Sequence, residues 1–311
     1  MNNSFAPILI PTLNRYTHLK RCIDSLILNT NAEQTILYIA LDFPAKSGHY
    51  EGYNQIINYI PTIKGFKEVI IIKREKNYGA GINFFNALDL VFQKHDRVIY
   101  TEDDNELSPN FLEYINKSLD YYEKDSDVLA VCGYLKPGVY PDTDNTCIQL
   151  NLFDAWGGGF WKDKYYKFKP DLEFSKVTHY LNDTKIVLRL INKRIFTLWY
   201  LLIIQYGKDK FIWDTMISAK CFIEDKKCVF PIISKSKNGG MDGSGAHHTI
   251  DDGFYSKQVI DSESNFAVKE EKEKSIIKRF HKTWFLYHRL SKRKIWWTIT
   301  RYIAYIIKIK R

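Results

Sequence analysis

The sequence is short of the features that mark several familiar protein classes. Its five cysteines show no paired metal-ligand spacing, because even the closest two, Cys221 and Cys228, are seven residues apart. This excludes a cysteine-based zinc site and a disulfide-stapled secreted domain, and we expect free thiols in a reducing compartment. No apolar run approaches the roughly twenty residues that span a membrane. The N-terminus has no signal-peptide pattern, so we expect a cytoplasmic protein.

Negative charge is missing from the C-terminal part of the chain. Residues 274–311 contain twelve Lys or Arg and no Asp or Glu, whereas the net charge of the whole chain is +9. Apolar residues recur there at helical spacing, at Ile295, Ile299, Tyr302, Ile303 and Ile306, with Trp296 and Trp297 beside them. This pattern is typical of a helix that lies on an anionic membrane surface. The alternatives are a helix packed on the protein body and a nucleic-acid site, which would leave the apolar face unused.

Short apolar runs alternate with amphipathic segments over the first 133 residues. The expected strands are 6–11, 36–41, 69–72, 98–100 and 128–131, and the expected helices are 16–28, 50–60, 80–92 and 109–122. This alternation predicts an α/β fold with a Rossmann-like, mostly parallel and doubly wound sheet. The fraction of hydrophobic residues, 45% of 311, is enough for one large domain or two intimate ones.

Three consecutive acids, Glu102, Asp103 and Asp104, follow the fourth expected strand. Ser108 and Pro109 predict an N-cap and first turn of the next helix, which places the acids on a strand-to-helix loop. Such loops bind ligands in open α/β sheets. Neighbouring carboxylates repel each other, and Mg²⁺ or Mn²⁺ relieves the repulsion while leaving positions for phosphate oxygens. The alternative is a solvated acidic turn.

Polar residues also follow the first three strands, and in a parallel sheet all of these ends share one edge. They are Thr12 and Arg15 after the first strand, Asp42 after the second and Asn77 after the third. An arginine suits a diphosphate and a carboxylate suits a ribose or base, so the set predicts a nucleotide-diphosphate site. Taken singly, Arg15 is a surface residue at a helix start and Asp42 a turn former.

The middle of the chain contains residues suited to sugar chemistry. Trp156 offers a ring face to a sugar, and the glycines that begin at Gly157 let the backbone approach a ligand. Asp214 follows Trp213 at an expected helix start, where partial desolvation suits it to be a general base, although it could simply cap the helix. The apolar run 197–204 is too short to span a membrane and predicts a buried helix, or one beneath a hydrophobic acceptor site.

A glycine-rich segment, 238–248, ends in two histidines. Its glycines predict a lid that closes over a nucleotide. His247 is a candidate metal ligand, and the alternative for this residue is an ordinary surface histidine.

These motifs in this order resemble the nucleotide-sugar glycosyltransferases of the GT-A fold. The resemblance covers about residues 6–248 and rests on the acidic motif 102–104 with its following helix, on 153–157 and on 213–216. It is strongest to bacterial surface-polysaccharide sugar transferases. It is more distant to the Golgi family that adds N-acetylglucosamine to mannose cores.

The resemblance implies a role for each matching residue. Asp104 would bind Mn²⁺ or Mg²⁺ with Asp103 in support, Asp42 would recognise the nucleoside, and Arg15 would lie near the diphosphate. Asp214 would deprotonate the acceptor hydroxyl, which implies transfer with inversion. We expect Thr12, Asn77, Glu102, Trp156 and Gly157 to complete the donor site. Asn77 stands where the Golgi family has a nucleotide-contacting histidine, so the nucleotide, with a UDP-sugar favoured, is not settled by the likeness.

The resemblance also implies the partners and the organisation of the chain. We expect a glycan or lipid-linked glycan acceptor, with attachment to the cytoplasmic face of a bacterial inner membrane through the basic tail and no nucleic-acid partner. Residues 1–133 would form the nucleotide-sugar-binding half, 134–260 the acceptor half and 261–311 the membrane-associating segment. A sugar nucleotidyltransferase is the competing enzyme, but it needs a glycine-rich loop that the segment 11–15 lacks. The competing non-enzymatic hypothesis is an adaptor built around the tail.

Overall fold

A computed structural model describes residues 5–138, 143–169, 174–192, 195–208, 212–243, 253, 255–279 and 291–309. The strands in these ranges are β1 (Ile8–Thr12), β2 (Ile36–Leu41), β3 (Glu68–Lys73), β4 (Arg97–Tyr100), β5 (Asn105–Leu107), β6 (Val128–Cys132), β7 (Cys147–Leu150), β8 (Gly158–Trp161), β9 (Lys227–Pro231), β10 (Ser236–Asn238) and β11 (Glu270–Glu271). The helices are α1 (Tyr16–Ile27), α2 (Tyr50–Tyr59), α3 (Ala80–Phe92), α4 (Phe111–Tyr121), α5 (Lys162–Phe168), α6 (Phe174–Asn182), α7 (Thr184–Asn192), α8 (Phe196–Lys208), α9 (Trp213–Ile223) and the C-terminal helix (Lys292–Ile309).

Nine strands form one mixed, mostly parallel sheet in the order β11-β7-β9-β6-β8-β4-β1-β2-β3. β1 pairs in parallel with β2 and β4, and β2 with β3, whereas β8 lies antiparallel between β4 and β6. The expected α/β architecture is therefore confirmed, and it is consistent with the GT-A fold.

Helices cover both faces of this sheet, which explains why its central strands are apolar throughout. Leu19 of α1, Ile56 of α2 and Phe111 of α4 are buried in the core on one face. Phe84 of α3 and Ile217 of α9 are buried in the core on the other. The sheet is doubly wound, as the alternation of strands and helices predicts.

The parallel pairing brings the carboxyl ends of β1, β2 and β4 to one edge. Thr12 is in register with Leu41, and the backbone N–H of Asp42 donates to the carbonyl oxygen of Thr12 at 2.9 Å. The backbone N–H of Thr101 donates to the carbonyl oxygen of Leu9 at 3.2 Å. The residues that follow these strands therefore meet, as expected from their sequence positions.

A second helical layer, with its own core, is built from α6, α7, α8 and the C-terminal helix. Leu198, Leu202 and Ile203 of α8 are buried in it, which confirms a helix in the apolar run 197–204. No helix among the described residues is long and apolar enough to cross a membrane.

The start of α4 corrects one expectation. The helix begins at Phe111, and the Ser108 hydroxyl donates to Asn110 Oδ1 at 2.9 Å and caps no helical N–H. Three extended residues, β5, come between the acids and the helix because β5 pairs with β10, with Leu107 opposite Ser236. A tertiary contact thus overrides the local Ser-Pro signal.

The division of the chain into two halves and a C-terminal segment, at residues 133 and 260, stays a prediction. Strands from both expected halves share the sheet, since β9 pairs with β6. β11, from the segment expected to associate with the membrane, also joins the sheet beside β7.

Candidate active site

Arg15 lies between two carboxylates of the acidic motif at the sheet edge. Its guanidinium pairs with Asp103, and its Nη1 lies 2.8 Å from Asp104 Oδ2. The Thr12 hydroxyl donates to Asp103 Oδ2 at 2.7 Å. Burial alone would lower the pKa of Arg15, but the charges of Asp103 and Asp104 outweigh it and raise the pKa. Three of the predicted donor-site residues and the predicted metal ligand thus form one cluster.

The glycine-rich segment closes on this cluster. Asn238 Nδ2 donates to Asp104 Oδ1 at 2.9 Å, and the backbone N–H of Gly239 donates to the carbonyl oxygen of Asp104 at 2.7 Å. A Cβ at Gly240 would lie 2.1 Å from Asp104 Oδ2, so a larger residue could not fit without movement of the acid. The start of the expected lid is therefore in contact with the acids, and His247 lies outside the described residues.

Asp42 and Asn77 meet one strand away from the acids. Asp42 accepts backbone N–H groups of Tyr78 and Gly79 at 2.8 Å each, and Asn77 Nδ2 donates to it at 3.3 Å. Both carboxylate oxygens therefore hold the turn that leads into α3. Contact between Asp42 and a nucleoside stays a prediction, and the structure assigns this acid a clear role in shaping the edge.

Glu102 interacts electrostatically with both the acidic cluster and Asp214. Burial raises the pKa of Glu102 well above its usual range, and the charges of Asp104 and Asp103 raise it further. The charge of Asp214 acts in the same direction. A carboxyl group with a raised pKa is more readily protonated, and in its protonated form it can donate a hydrogen bond to a ligand.

Asp214 stands in the first turn of α9. Ile212 occupies the N-cap position, so Asp214 is not the N-cap residue itself. Its side chain nevertheless accepts a first-turn N–H, that of Thr215, at 2.7 Å, so stabilisation of the helix start and the role of a base both stay predictions for Asp214. Trp213 packs against Phe84 with ring centroids 5.2 Å apart, which fixes the start of the helix.

A cavity of about 250 Å³ adjoins Asp214. Trp156 lines it and packs edge-on against Tyr134 and Tyr255, with ring centroids 4.5 and 5.4 Å apart. Gly157 follows at φ 82° with its carbonyl oxygen accepting the Gly133 N–H, a conformation that favours glycine. By contrast Trp161 is buried in the core, where its indole N–H donates to the carbonyl oxygen of Leu119 at 3.0 Å.

Two charged residues of this cavity, Lys136 and Asp154, were missed by the sequence reasoning. Lys136 comes shortly after the end of β6, just as the predicted site residues come after the ends of β1, β2 and β4. The same search for polar residues after strands could have found it. Asp154 lies inside the 153–157 motif but was passed over for its aromatic neighbours. Asn238 and Gly240 were grouped into a lid with no contact assigned to either.

The acids fit a hard divalent cation by ligand chemistry, since Mn²⁺ and Mg²⁺ prefer carboxylate oxygens. Arg15 already pairs with both Asp103 and Asp104, however, and the described residues contain no group of three or more His, Cys, Asp or Glu side chains arranged around a metal position. A cation at Asp104 would therefore share the carboxylate with the guanidinium or replace it.

Comparison with known families decides where the chain belongs. The family model described as "GNT-I family" matches residues 1–158 of the 311, which includes β1 to β4 and the acidic motif. The chain belongs to the GNT-I family. The predicted resemblance to nucleotide-sugar glycosyltransferases of the GT-A type is therefore confirmed for this family member. Asp214 lies beyond the matched residues.

Solved structures show similarities at low sequence identity. TarS of S. aureus is 14% identical with a TM-score of 0.36, over 53% of this chain and 29% of the TarS chain. The mannosyltransferase PcManGT of Pyrobaculum calidifontis, solved with GDP-Man and Mn²⁺, is 10% identical with a TM-score of 0.39, over 70% of this chain and 69% of its own. No curated protein sequence matches the chain. These values carry no information on donor or acceptor.

Proposed function

We propose that this member of the GNT-I family transfers a sugar from a nucleotide-diphosphate sugar, a UDP-sugar being favoured, to a hydroxyl of a growing bacterial surface glycan. The acceptor belongs to the lipopolysaccharide, O-antigen or capsule class and is free or lipid-linked. The observation that carries this proposal is the position of the Arg15–Asp103–Asp104 cluster at the edge of a sheet whose neighbouring cavity contains Asp214.

Arg15 supplies the charge that the donor requires. Its guanidinium can form paired hydrogen bonds with the diphosphate, and its position between two acids holds it at the sheet edge before the donor arrives. Mn²⁺ or Mg²⁺, held by Asp104 with Asp103 in support, would neutralise charge on the leaving diphosphate.

Asp214 is the proton acceptor in this proposal. It is partly buried at a helix N-terminus and lines the cavity, so a hydroxyl bound there can donate its proton to the carboxylate as it attacks the anomeric carbon. The bond from the anomeric carbon to the diphosphate breaks on the opposite side, which gives inversion. In its protonated form Glu102, whose pKa the charges of Asp104 and Asp214 both raise, can donate a hydrogen bond to the donor sugar.

The test is a panel of UDP-, GDP-, dTDP- and CMP-sugars incubated with the full chain and Mn²⁺, with and without EDTA. We expect slow donor hydrolysis and thermal stabilisation with one nucleotide, both diminished by EDTA. Hydrolysis that EDTA leaves unchanged would remove the metal from the proposal and leave Arg15 as the cation. No response to any donor would contradict a transferase.

Part of the expected lipid-facing side of the C-terminal helix is exposed. Ile299, Tyr302 and Ile306 pack against the second helical layer, so their assignment to that side is wrong. Ile303, expected on the same side, is exposed and forms a stripe with Trp296 and Ile307, at 53%, 67% and 52%. We infer that this stripe, with the exposed cations at 292–294, binds the anionic cytoplasmic leaflet of a bacterial inner membrane.

A further inference from the structure

The cavity beside Asp214 contains two further charged residues that the transfer chemistry above does not use. They are Lys136 and Asp154, which line it together with Asp214. Aliphatic side chains from the start of α8 and the residue before it, Ile195, Leu198 and Leu201, also line the cavity. Its lining therefore combines charged and aliphatic groups.

Lys136 is buried, with 8% of its surface exposed. Burial lowers the pKa of Lys136 to about 7, although the charges of Asp154 and Asp214 act against this effect. Burial likewise raises the pKa of Asp154 to about 7, against the charge of Lys136. Apolar residues of the same size would fill this space at a lower cost in desolvation, so a charge pair beside a cavity is more readily explained by a polar ligand.

We propose that Lys136 and Asp154 bind the acceptor, by hydrogen bonds to hydroxyl groups of one uncharged sugar ring placed with a further hydroxyl at Asp214. This inference rests on the proposed function and names the acceptor unit that the cavity takes. An ammonium group and a carboxylate together serve a hydroxyl as donor and as acceptor, which matches neighbouring hydroxyls of a sugar.

The size and the charge of the cavity decide which ligand it can bind. A cavity of about 250 Å³ is at the small end for ligand pockets, and suits one monosaccharide unit. Two carboxylates against one ammonium would repel an acidic sugar such as a uronic acid. The aliphatic side chains of the lining can cover the C–H face of a neutral ring.

The test compares Lys136→Met and Asp154→Asn with the full-length wild type. The acceptor probes are the p-nitrophenyl glycosides of glucose, galactose, mannose, N-acetylglucosamine and glucuronic acid, each with the donor identified above. Lys164→Met is the matched control, because Lys164 is also buried but donates to the carbonyl oxygens of Tyr122 and Asp125, at 2.9 and 2.8 Å, and does not line the cavity.

We expect the acceptor KM to rise about tenfold or more in both cavity variants, the scale of losing a hydrogen bond to a charged group, with donor hydrolysis changed less than about twofold. If Lys136→Met fails to fold, Lys136→Arg is the substitute variant. It keeps the positive charge and should retain part of the affinity for the acceptor. The glucuronide should be the poorest acceptor.

An unchanged acceptor KM, or an equal loss of donor hydrolysis and transfer, would overturn the assignment. Donor hydrolysis by the wild type without use of any neutral glycoside would refute the acceptor site alone. Absence of donor hydrolysis would instead refute the proposed function.

Discussion

Two charge clusters each combine one cation with two carboxylates, and they differ in the cation. At the sheet edge, Arg15 stands between Asp103 and Asp104 in direct ion pairs. In the cavity, Lys136 faces Asp154 and Asp214. A guanidinium keeps its charge at any physiological pH, whereas burial lowers the pKa of Lys136 to about 7.

The difference between the two cations fits the ligand that we propose for each cluster. A diphosphate is always anionic and needs a fixed cation with several donors, which arginine provides. A neutral hydroxyl needs a donor and an acceptor, and a lysine–aspartate pair can provide both even when a proton moves between them. Each cluster has one cation and two carboxylates, so a diphosphate at the sheet edge also needs the divalent cation to offset the negative charge, whereas the cavity can take a neutral ligand.

Substitution of Asp214, the proposed base, should have the largest effect on activity. Asp214→Asn removes the proton acceptor and keeps the shape, so we expect transfer to fall by about 10²- to 10⁴-fold while donor affinity is retained. Turnover assays and calorimetric titration of the donor would measure both. A loss of donor affinity as large as the loss of turnover would make Asp214 a binding residue.

Arg15→Met should weaken donor binding by about ten- to a hundredfold, because it removes charge-assisted hydrogen bonds to the diphosphate. Arg97→Met is the matched control, since both arginine side chains are 21% exposed and paired with an aspartate, Arg97 with Asp120 far from the edge residues. Calorimetry with the donor would separate them. Equal effects of the two substitutions would argue against contact between Arg15 and the donor.

The pH dependence of stability should distinguish the two cations. The pKa of Lys136 is lower in the fold, at about 7, than the usual 10.5, so between these values the unfolded chain binds more protons. This term makes stability rise with pH across that window, by at most about 1.4 kcal/mol per pH unit. Lys136→Met should flatten the rise between pH 7.5 and 9.5 in urea unfolding. An identical slope in variant and wild type would contradict a buried, discharged lysine.

The smallest effect is expected at the membrane stripe. Trp296→Ser should reduce co-sedimentation with phosphatidylglycerol vesicles severalfold and leave donor hydrolysis intact, because an interfacial tryptophan contributes modestly to binding. Leu188→Ser, at a 56% exposed leucine of α7, is the control. Equal loss in both variants, or equal binding of wild type to phosphatidylcholine, would argue against the stripe.

The site was predictable where position along a strand decides it. Thr12, Arg15 and Asp103 meet because parallel strands share an edge, and the order of strands and helices implies that edge. Ser108 failed as a cap because β10, more than a hundred residues later, holds the chain extended. The prediction of which face of the C-terminal helix is exposed was wrong for a similar reason. Periodicity gives the spacing of Ile299 and Tyr302, but it does not show which neighbouring helices they pack against.

α8 is shared between two neighbours: Leu198 and Leu201 line the cavity, while Trp199, Tyr200 and Tyr206 pack against Tyr302, Trp297 and Tyr305 of the C-terminal helix. Deleting the tail would therefore uncover an aromatic surface on the back of the cavity wall. A shortened chain would change solubility and acceptor binding together with any membrane attachment, so single substitutions on the exposed stripe test the proposed attachment more directly.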